Sequence, residues 1–449
     1  MKKLIPGQRF YLSLFCQLFL LNTVFSQASH YGVNLAGLEF GSPPGTYNST
    51  YFKPSAAELD YYNSKGLKLV RLPFLWERVQ PTLGGPLDAA YLGYIDNVVS
   101  DAKARGMSVI LDVHNYGRYN GNLIGSASVS ISNFKDLWAR LAQHYASETA
   151  VWAFDLMNEP HDMTTAWNTI AQAAIDTIRI HDNSHFILVE GDNWAKGDTW
   201  VTYNDILKNL SDPAHKIIYE AHIYFDSNGS GTYASTSFST NGATVNTGVT
   251  KITPFVNWLN TNNLRGIVGE YGVPNNASAS DQSSWNTLLD NFMTYLKANC
   301  VGGTVWAGGP AWGSYTLSVE PTSGFTVDQP PMSVLQNYTV LPASCAFATC
   351  PKPALGSDRS TCTGASFPFA INTNTSLQSN VTYTWKRISP SSTVLVNASS
   401  TANTLSITAG DGFGTYVVLR DTFGLCVNSD TIIISNSVSK PDLGSSSLN

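Results

Sequence analysis

The stretch that decides the fold covers residues 151–160 and reads VWAFDLMNEP. Its first seven residues are almost all apolar, and the polar residues Asn158 and Glu159 follow at once, before Pro160. Near-continuous apolar runs of this length are typical of parallel strands that are buried on both faces. We therefore predict a buried parallel strand here, with polar residues at its carboxyl end.

Seven similar runs occur along the chain, and segments with helical spacing of apolar residues lie between them. The eight predicted strands are 31–35, 68–72, 108–113, 151–157, 186–190, 217–223, 266–269 and 303–306, and three of the predicted helices are 91–105, 134–146 and 167–181. Eight strand–helix units favour an α/β fold, a (β/α)8 TIM barrel. An open doubly wound sheet is the alternative, because strand closure cannot be read from a sequence.

The first 26 residues have the pattern of a secretory signal peptide. Lys2, Lys3 and Arg9 precede the apolar stretch 10–21, and the small residue Ser26 precedes a plausible cleavage point. We therefore expect a secreted, extracellular protein that is not held in a membrane after cleavage. An uncleaved N-terminal anchor is the alternative, although the apolar stretch is too short to span a bilayer.

The composition changes after residue 341. We predict a (β/α)8 barrel domain over 27–341, a proline-containing linker over 342–355 and a small all-β sandwich over 356–437. Within the tail 438–449, Lys440-Pro-Asp-Leu-Gly-Ser-Ser repeats Lys352-Pro-Ala-Leu-Gly-Ser-Asp. We interpret this tail as the start of a second copy of the same module.

Five cysteines remain after the predicted cleavage. Cys362 could pair with Cys426, and Cys345 could pair with Cys350 or with Cys300. The sequence contains no zinc-type Cys/His spacing and no nucleotide or phosphate fingerprint. We therefore expect no cofactor and no metal.

The charge and the composition of the chain also indicate which kinds of ligand it binds. The net charge is −6, charged residues make up 13% of the chain and aromatic residues 12%. An acidic chain without a Lys/Arg run argues against nucleic acid or an anionic membrane surface as a partner. Low charge with many aromatic residues suits a neutral, hydroxyl-rich ligand, and we expect a monomer.

Two carboxylates at strand ends carry the predicted chemistry. In a (β/α)8 barrel the reaction takes place at the carboxyl ends of the strands. Glu159 and Glu270 follow strands 4 and 7, which face each other across an eight-stranded barrel. Hydrolysis of a glycosidic bond needs two such carboxyl groups, one protonated and one ionised. A buried ion pair would explain a single glutamate, but it explains this pair less well.

Other polar or aromatic residues fall at the same strand ends, namely Asn34, Arg71, His114, Asn115, Tyr116, Asn158, Glu190, His222, Tyr224 and Trp306. Scattered surface residues would not keep this register. We therefore predict that they surround the two carboxylates.

Six motifs carry a resemblance to a known family. They are Tyr31-Gly-Val-Asn-Leu-Ala-Gly, Val70-Arg-Leu-Pro-Phe, Leu111-Asp-Val-His-Asn-Tyr-Gly-Arg-Tyr, Asn158-Glu159-Pro160, Glu220-Ala-His-Ile-Tyr-Phe-Asp and Gly269-Glu270-Tyr271-Gly272. In this order they resemble the blocks of glycoside hydrolase family 5, above all its secreted endo-β-1,4-glucanases (cellulases). The resemblance covers residues 30–341.

The resemblance implies roles for individual residues. Glu159 would be the acid/base and Glu270 the nucleophile of a retaining reaction on a β-1,4-linked polysaccharide. The implied substrate-binding residues are Arg71 and Tyr224, which hold Glu270 ionised and oriented, Asn158 at the sugar 2-hydroxyl, His114 and His222 around the reacting sugar, and Trp306 beneath it.

The remaining aromatic and titratable residues have simpler interpretations. Trp194 and Trp200, after strand 5, are candidates either for the sugar cleft or for buried loop anchors. Trp76 and Trp312 are predicted to pack inside the protein, and Glu190 to support other site residues. Four histidines are predicted at the surface or at helix ends, namely His144, His161, His181 and His185.

The C-terminal region has its own resemblance. Leu355-Gly-Ser-Asp, Thr361-Cys-Thr-Gly, Tyr383-Thr-Trp, Gly414-Thr-Tyr and Cys426-Val-Asn-Ser-Asp resemble the immunoglobulin-like repeats of secreted bacterial proteins. This resemblance implies a spacer. A carbohydrate-binding module is the alternative, although Trp385 is the only tryptophan of the region.

Two other functions remain open at this stage. The same machinery could act on mannan or on another β-glucan, since loops around the cleft decide the substrate. A non-catalytic polysaccharide-binding protein on a barrel scaffold is the alternative from another class, but loss of one catalytic glutamate would be expected for it.

Overall fold

The computed structural model describes residues 30–262 and 264–342, Cys345, and seven strands between 359 and 437. The predicted signal peptide, nearly all of the predicted linker, and the tail 438–449 lie outside the described residues.

Eight parallel strands form a closed barrel in the order β1-β10-β9-β8-β7-β6-β3-β2. They are β1 (Tyr31–Leu35), β2 (Leu69–Phe74), β3 (Ser108–Val113), β6 (Val151–Asp155), β7 (Phe186–Glu190), β8 (Ile217–His222), β9 (Gly266–Glu270) and β10 (Gly302–Gly308). Between β3 and β6 lies a short hairpin of β4 (Arg118–Tyr119) and β5 (Asn122–Leu123). The barrel closes where Tyr31 pairs with Gly303, which excludes the open doubly wound sheet.

The helices of this region are α1 (Ala56–Ser64), α2 (Trp76–Val79), α3 (Ala89–Ala104), α4 (Ile131–Tyr145), α5 (Trp167–His181), α6 (Trp200–Asn204), α7 (Thr247–Asn262), α8 (Ala279–Ala298) and α9 (Met332–Leu335). Local sequence explains where they begin. Ser55 and Ser130 precede α1 and α4, and each accepts a hydrogen bond from a backbone N–H of the first turn. Within the described residues, no helix is both long and apolar enough to span a bilayer.

The interior of the barrel has two layers. A cluster of apolar side chains comes from six strands, namely Leu69, Ile110, Ala153, Leu188, Ile218 and Ile267. Two residues further along five of these strands stand Arg71, Asp112, Asp155, Glu190 and Glu220, all fully buried. Because side chains repeat every second residue on a strand, both sets point to the same side. The apolar layer therefore lies beneath a charged layer at the carboxyl ends.

A disulfide joins Cys300, which follows α8, to Cys345, which follows α9. This bond is one of the two pairings that the sequence left open for Cys345. It fixes the segment that follows the last barrel strand.

The C-terminal strands are β11 (Arg359–Cys362), β12 (Phe369–Asn372), β13 (Thr382–Ser389), β14 (Thr393–Val396), β15 (Thr404–Ile407), β16 (Gly414–Asp421) and β17 (Val427–Ser437). Five of them form a sheet in the order β11-β17-β16-β13-β14, and β12 pairs with β15. The side chains of Tyr383 and Trp385 are buried. The arrangement of these sheets as an immunoglobulin-like sandwich stays a prediction.

Candidate active site

Arg71, on β2, is fully buried and links four strand ends. Its Nη1 donates to Oδ1 of Asn34 at 2.9 Å and to Oε1 of Glu270 at 3.1 Å. Its Nη2 donates to Oδ1 of Asn158 at 2.9 Å and to Oε1 of Glu190 at 2.8 Å. A planar guanidinium with five donors can serve several acceptors at fixed angles, which the ammonium of lysine cannot do. Arg71 therefore sets the relative positions of the polar residues around it.

Three further carboxylates contact the same guanidinium, and sequence analysis did not select them. Asp112, Asp155 and Glu220 lie 3.0, 2.9 and 3.1 Å from nitrogen atoms of Arg71. Burial raises the pKa of Asp155 well above its ordinary value, and the neighbouring charge of Glu220 adds to this effect. This shift favours the protonated, neutral form of Asp155 and so lowers the negative charge around a single arginine.

Glu270 ends β9 and is almost completely buried. Its Oε1 accepts the bond from Arg71, and its Oε2 accepts a 2.6 Å hydrogen bond from the hydroxyl of Tyr224. Burial and the charge of Glu270 raise the pKa of Tyr224 well above its ordinary value, so the phenol keeps its proton and donates. Both oxygens of Glu270 thus have a donor, which fixes the orientation of the carboxylate.

Glu159 lies four residues beyond the end of β6, in a left-handed backbone conformation with φ of 43°. Its backbone N–H donates to Oε2 of Glu190 at 2.6 Å. Its side chain is partly exposed, and Oε1 lies 2.8 Å from Nδ1 of His222. Glu190 therefore supports the backbone of Glu159, as predicted for a supporting residue.

His222 ends β8 between several carboxylates. Burial alone would lower its pKa, but the charges of Glu190 and Glu270 and the hydrogen bond with Glu159 outweigh burial and raise the pKa well above its ordinary value. These interactions favour the protonated form of the imidazole. One ligand atom from each of Glu159, His222 and Glu270 lies within 4.8 Å of the others.

Buried acidic and histidine side chains also raise the question of a metal. Two further groups of this kind are Glu190-Glu220-His222 and Asp112-Asp155-Glu190. All four carboxylates are ion-paired with Arg71, and His222 lies beside Glu190 and Glu220, so protein groups already contact them. The donor set fits an ion-pair network better than a cation site.

The ring of His114 stacks on Trp306, with centroids 5.6 Å apart and planes 9° from parallel. Nδ1 of His114 lies 2.7 Å from Oδ2 of Asp112. Burial lowers the pKa of His114, but the charge and hydrogen bond of Asp112 outweigh burial and raise it. Only 9% of Trp306 is exposed, so the ring is held firmly on the floor of the site.

Asn34 and Asn158 are both buried beside Arg71. Nδ2 of Asn34 donates to the carbonyl of Gly269 at 2.8 Å, which fixes the residue before Glu270. Nδ2 of Asn158 has no hydrogen-bond partner among the described residues. A buried amide donor without a partner is costly, so this group is available for a ligand.

A cavity of about 130 Å³ opens on the side of Glu159. Its walls are formed by Glu159, Trp194, Lys196, His222, Tyr224, Gly229 and Ser230. Lys196 and Ser230 were not selected from the sequence, because neither lies at a strand end.

The other candidate residues have mixed outcomes. Trp194 is 36% exposed and lines the cavity, whereas Trp200 is buried as a loop anchor. Trp76 is buried, as predicted. Trp312 does not pack wholly inside, because it is partly exposed and its ring contacts the edge of Trp306 at 5.5 Å.

Two of the histidines differ from the surface interpretation. His161 is partly buried and stacks on Trp194 with centroids 4.3 Å apart, so it supports a ring that lines the cavity. His185 is buried, because its ring lies between the carboxylate of Asp182 and the carbonyl of Glu148.

Comparisons of the sequence and of the structure with known proteins point to the same family. Residues 26–311 match the model of the family described as cellulase (glycosyl hydrolase family 5). The chain is 37% identical over 317 residues to endo-beta-1,4-glucanase A of Emericella nidulans, which covers 69% of this chain and 92% of that protein.

Solved structures agree with this result. Pseudomonas stutzeri endoglucanase Cel5A in complex with cellobiose has a TM-score of 0.64 and 37% identity, over 69% of this chain and 91% of that chain. The endo-beta-1,4-glucanase Xac0029 of Xanthomonas axonopodis pv. citri has a TM-score of 0.64 and 39% identity, over 69% and 97%. The chain therefore belongs to the cellulase family, glycosyl hydrolase family 5, and is a glycoside hydrolase.

Proposed function

We propose that the protein is a secreted, retaining endo-β-1,4-glucanase, which hydrolyses internal β-1,4-glucosidic bonds of cellulose or related β-glucans. One observation carries this proposal. The carboxylates of Glu159 and Glu270 face each other at the carboxyl end of the barrel, in two different environments. Glu270 is buried between Arg71 and Tyr224, whereas Glu159 is partly exposed beside His222.

The separation of the two carboxylates supports retention of configuration. Their nearest oxygens lie within 4.8 Å. Retaining glycosidases place the carboxyl groups about 5–5.5 Å apart, whereas inverting enzymes need about 6.5–9.5 Å to admit a water molecule. The shorter distance leaves room for direct attack by one carboxylate.

In the first step, an oxygen of Glu270 attacks the anomeric carbon and forms a glycosyl ester. The bond between that carbon and the leaving sugar oxygen breaks, and Glu159 transfers its proton to this oxygen. The donors Arg71 and Tyr224 keep Glu270 oriented for attack. His222 stabilises the carboxylate that remains on Glu159 after proton transfer.

In the second step, water attacks the anomeric carbon and the ester bond to Glu270 breaks. Glu159 accepts the proton of the water, so both residues return to their starting states. Two inversions at the same carbon give net retention.

The remaining residues would bind the reacting sugar. The free amide donor of Asn158 suits a hydrogen bond to the 2-hydroxyl, which strengthens in the transition state of glycosidases. Trp306 offers a flat surface to the apolar face of a pyranose, and His114 stacks on that ring and fixes it.

The relatives support the proposed substrate class. The two endo-β-1,4-glucanases named above align with this chain over almost their whole length. Secretion is supported by the basic and apolar N-terminal pattern and by the disulfide Cys300–Cys345, since disulfides persist in oxidising compartments. For residues 356–437 we infer an immunoglobulin-like spacer, supported by the two antiparallel pairings of β16 with its neighbours.

The test measures viscosity loss and reducing-sugar release on carboxymethyl cellulose, with glucomannan in parallel, for the wild type and for Glu270→Ala. A fast loss of viscosity by the wild type, and none by the variant, is expected of an endo-acting enzyme with Glu270 essential. Proton NMR of the first product from cellopentaose should show the β-anomer. Activity on glucomannan alone would overturn the substrate, and an α-anomer would overturn the retaining mechanism.

A further inference from the structure

Glu159, which protonates the leaving oxygen in the proposed mechanism, lines the cavity, whereas Trp306 and His114 do not. In that mechanism the departing sugar would occupy this space. Its chemistry decides which substituents the enzyme tolerates on that sugar.

Lys196 places a cation in the wall of this cavity. Its ammonium lies 5.4 Å from the ring centroid of Trp194 and makes no ion pair with a carboxylate among the described residues. The neighbouring Lys251 instead donates to the carbonyls of Tyr224 and Asp226, at 2.9 and 3.2 Å. The positive charge of Lys196 is therefore available to a ligand.

Three acids lie near this wall, and the first of them, Glu159, lies 2.8 Å from His222. The carboxylate of Asp226 is buried and accepts hydrogen bonds from the backbone of Gly231 and from the hydroxyl of Ser230. Asp198 is exposed, and its charge acts on Lys251. Neither neutralises Lys196 by direct contact.

The backbone holds Lys196 and Trp194 firmly in this position. Asn193, Trp194 and Ala195 have φ values of 61°, 57° and 50°, a left-handed run that costs energy for residues other than glycine. The backbone N–H of His222 donates to the carbonyl of Ala195 at 2.8 Å, which ties the turn to β8. Strained backbone of this kind persists where the surrounding structure over-determines it, and it often marks functional sites.

We propose that this cavity is a subsite for an acidic sugar, whose ring lies on Trp194 and whose carboxylate pairs with Lys196. The substrate class is a β-1,4-glucan that carries uronic acid or carboxymethyl groups on the leaving sugar. This proposal rests on the proposed glucanase function. An exposed aromatic ring suits the face of a pyranose, and an ammonium beside it without an ion-pair partner suits a carboxylate.

The experiment compares two derivatives of the same backbone, carboxymethyl cellulose with anionic groups and hydroxyethyl cellulose with neutral groups. The quantity measured is the ratio of kcat/KM on the two substrates. Lys196→Met keeps the aliphatic stem and removes the charge, so we expect the ratio to fall about two- to fivefold, the range of an exposed ion pair. Lys196→Arg should keep the ratio of the wild type.

Salt and a matched control separate this local effect from net charge. Raising the ionic strength should lower the ratio of the wild type relative to that of Lys196→Met, because salt screens the local pair only where Lys196 is present. Lys135→Met, on the exposed face of α4, changes the net charge equally and should not alter the ratio. Thermal unfolding of each variant confirms that it is folded.

The possible outcomes are distinct. An unchanged ratio in Lys196→Met, or an equal loss on both substrates, would overturn the acidic subsite while leaving the glucanase function intact. Absence of activity on both substrates in the wild type would instead overturn the proposed function.

Discussion

The hydroxyl of Tyr224 donates a 2.6 Å hydrogen bond to Oε2 of Glu270, while Arg71 donates to Oε1 of the same carboxylate. The proposed nucleophile thus has a cationic donor on β2 and a neutral donor two positions beyond the end of β8. Together the two donors fix the orientation of the carboxylate.

Removing the neutral donor should weaken catalysis without abolishing it. In Tyr224→Phe, the buried carboxylate of Glu270 loses a hydrogen bond, and bonds to charged groups contribute about 1.5–3 kcal/mol. We expect kcat/KM on cellopentaose to fall about 10- to 100-fold, as measured by initial rates. Tyr203→Phe, in the exposed part of α6, should leave kcat/KM unchanged. Equal activity of Tyr224→Phe and the wild type would contradict the proposed role of this bond.

The role of Glu159 can be tested with leaving groups of different basicity. Glu159→Gln cannot protonate a leaving sugar, so we expect activity on cellopentaose to fall about 10³-fold. A dinitrophenyl cellobioside needs no proton, so its first step should stay close to the wild-type rate. Stopped-flow absorbance should then show a burst of dinitrophenolate, because the second step still lacks a base. A variant with equal losses on both substrates would argue against acid catalysis by Glu159.

Gly269 makes room for a buried carboxylate. A Cβ at this position would lie 1.6 Å from Oε1 of Glu220, which is ion-paired with Arg71. In Gly269→Ala, the carboxylate must move and the buried pair breaks, so we expect the free energy of unfolding to fall by about 3–5 kcal/mol. Chemical denaturation measures this change.

Gly93→Ala is the matched control for Gly269→Ala. A Cβ at Gly93 in α3 would meet no atom within 4 Å. We expect this variant to gain up to about 1 kcal/mol, since alanine favours a helix interior. Similar stabilities for the two variants would contradict the steric role of Gly269.

The carboxyl groups of Glu58 and Glu320 predict how the free energy of unfolding depends on pH. Burial, and then the charge of Glu320, raise the pKa of Glu58 to about 7, and Glu58 caps the first turn of α1 by accepting from the backbone of Ser55 at 2.5 Å. The unfolded chain has the ordinary value near 4.5. Between these two values the folded state binds the extra proton, so the free energy of unfolding falls as the pH rises from about 4.5 to 7.

Glu58→Gln should remove this contribution. We expect the loss of stability between pH 5 and pH 8, measured by chemical denaturation, to be about 1–3 kcal/mol smaller than in the wild type. Glu320→Gln should reduce the loss by less, since it removes the charge of Glu320 but not the burial of Glu58. A pH dependence identical to that of the wild type in both variants would contradict this assignment.

The sequence was sufficient to predict the residues at the strand ends. Apolar runs mark the buried strands, and the carboxyl ends of parallel strands converge, so Arg71, Glu159 and Glu270 could be assigned to one rim. The predicted bounds of the strands differ from the observed ones by about two residues at most. The second strand, for example, was predicted over 68–72, and β2 covers Leu69–Phe74. The pattern of apolar residues does not show at which residue the backbone pairing of a strand ends.

The charged layer was missed, although a signal was present. Asp112, Asp155 and Glu220 each stand inside an otherwise apolar run, two residues beyond an apolar partner that faces the barrel interior. Counting in steps of two along each run would have placed them around Arg71. Lys196 gave no such signal, because its position depends on three consecutive left-handed residues, which no periodicity reveals.

The pairing of Tyr31 with Gly303 has a consequence for biosynthesis. These two strands are about 270 residues apart, so at about 5–20 residues per second the ribosome needs about 15–50 s to deliver the second after the first. Until then the nascent sheet has two open edges, which can pair with other chains. Trp306 lies on this last strand of the barrel, so the proposed platform beneath the sugar arrives last, and a chain that ends before it has no complete site.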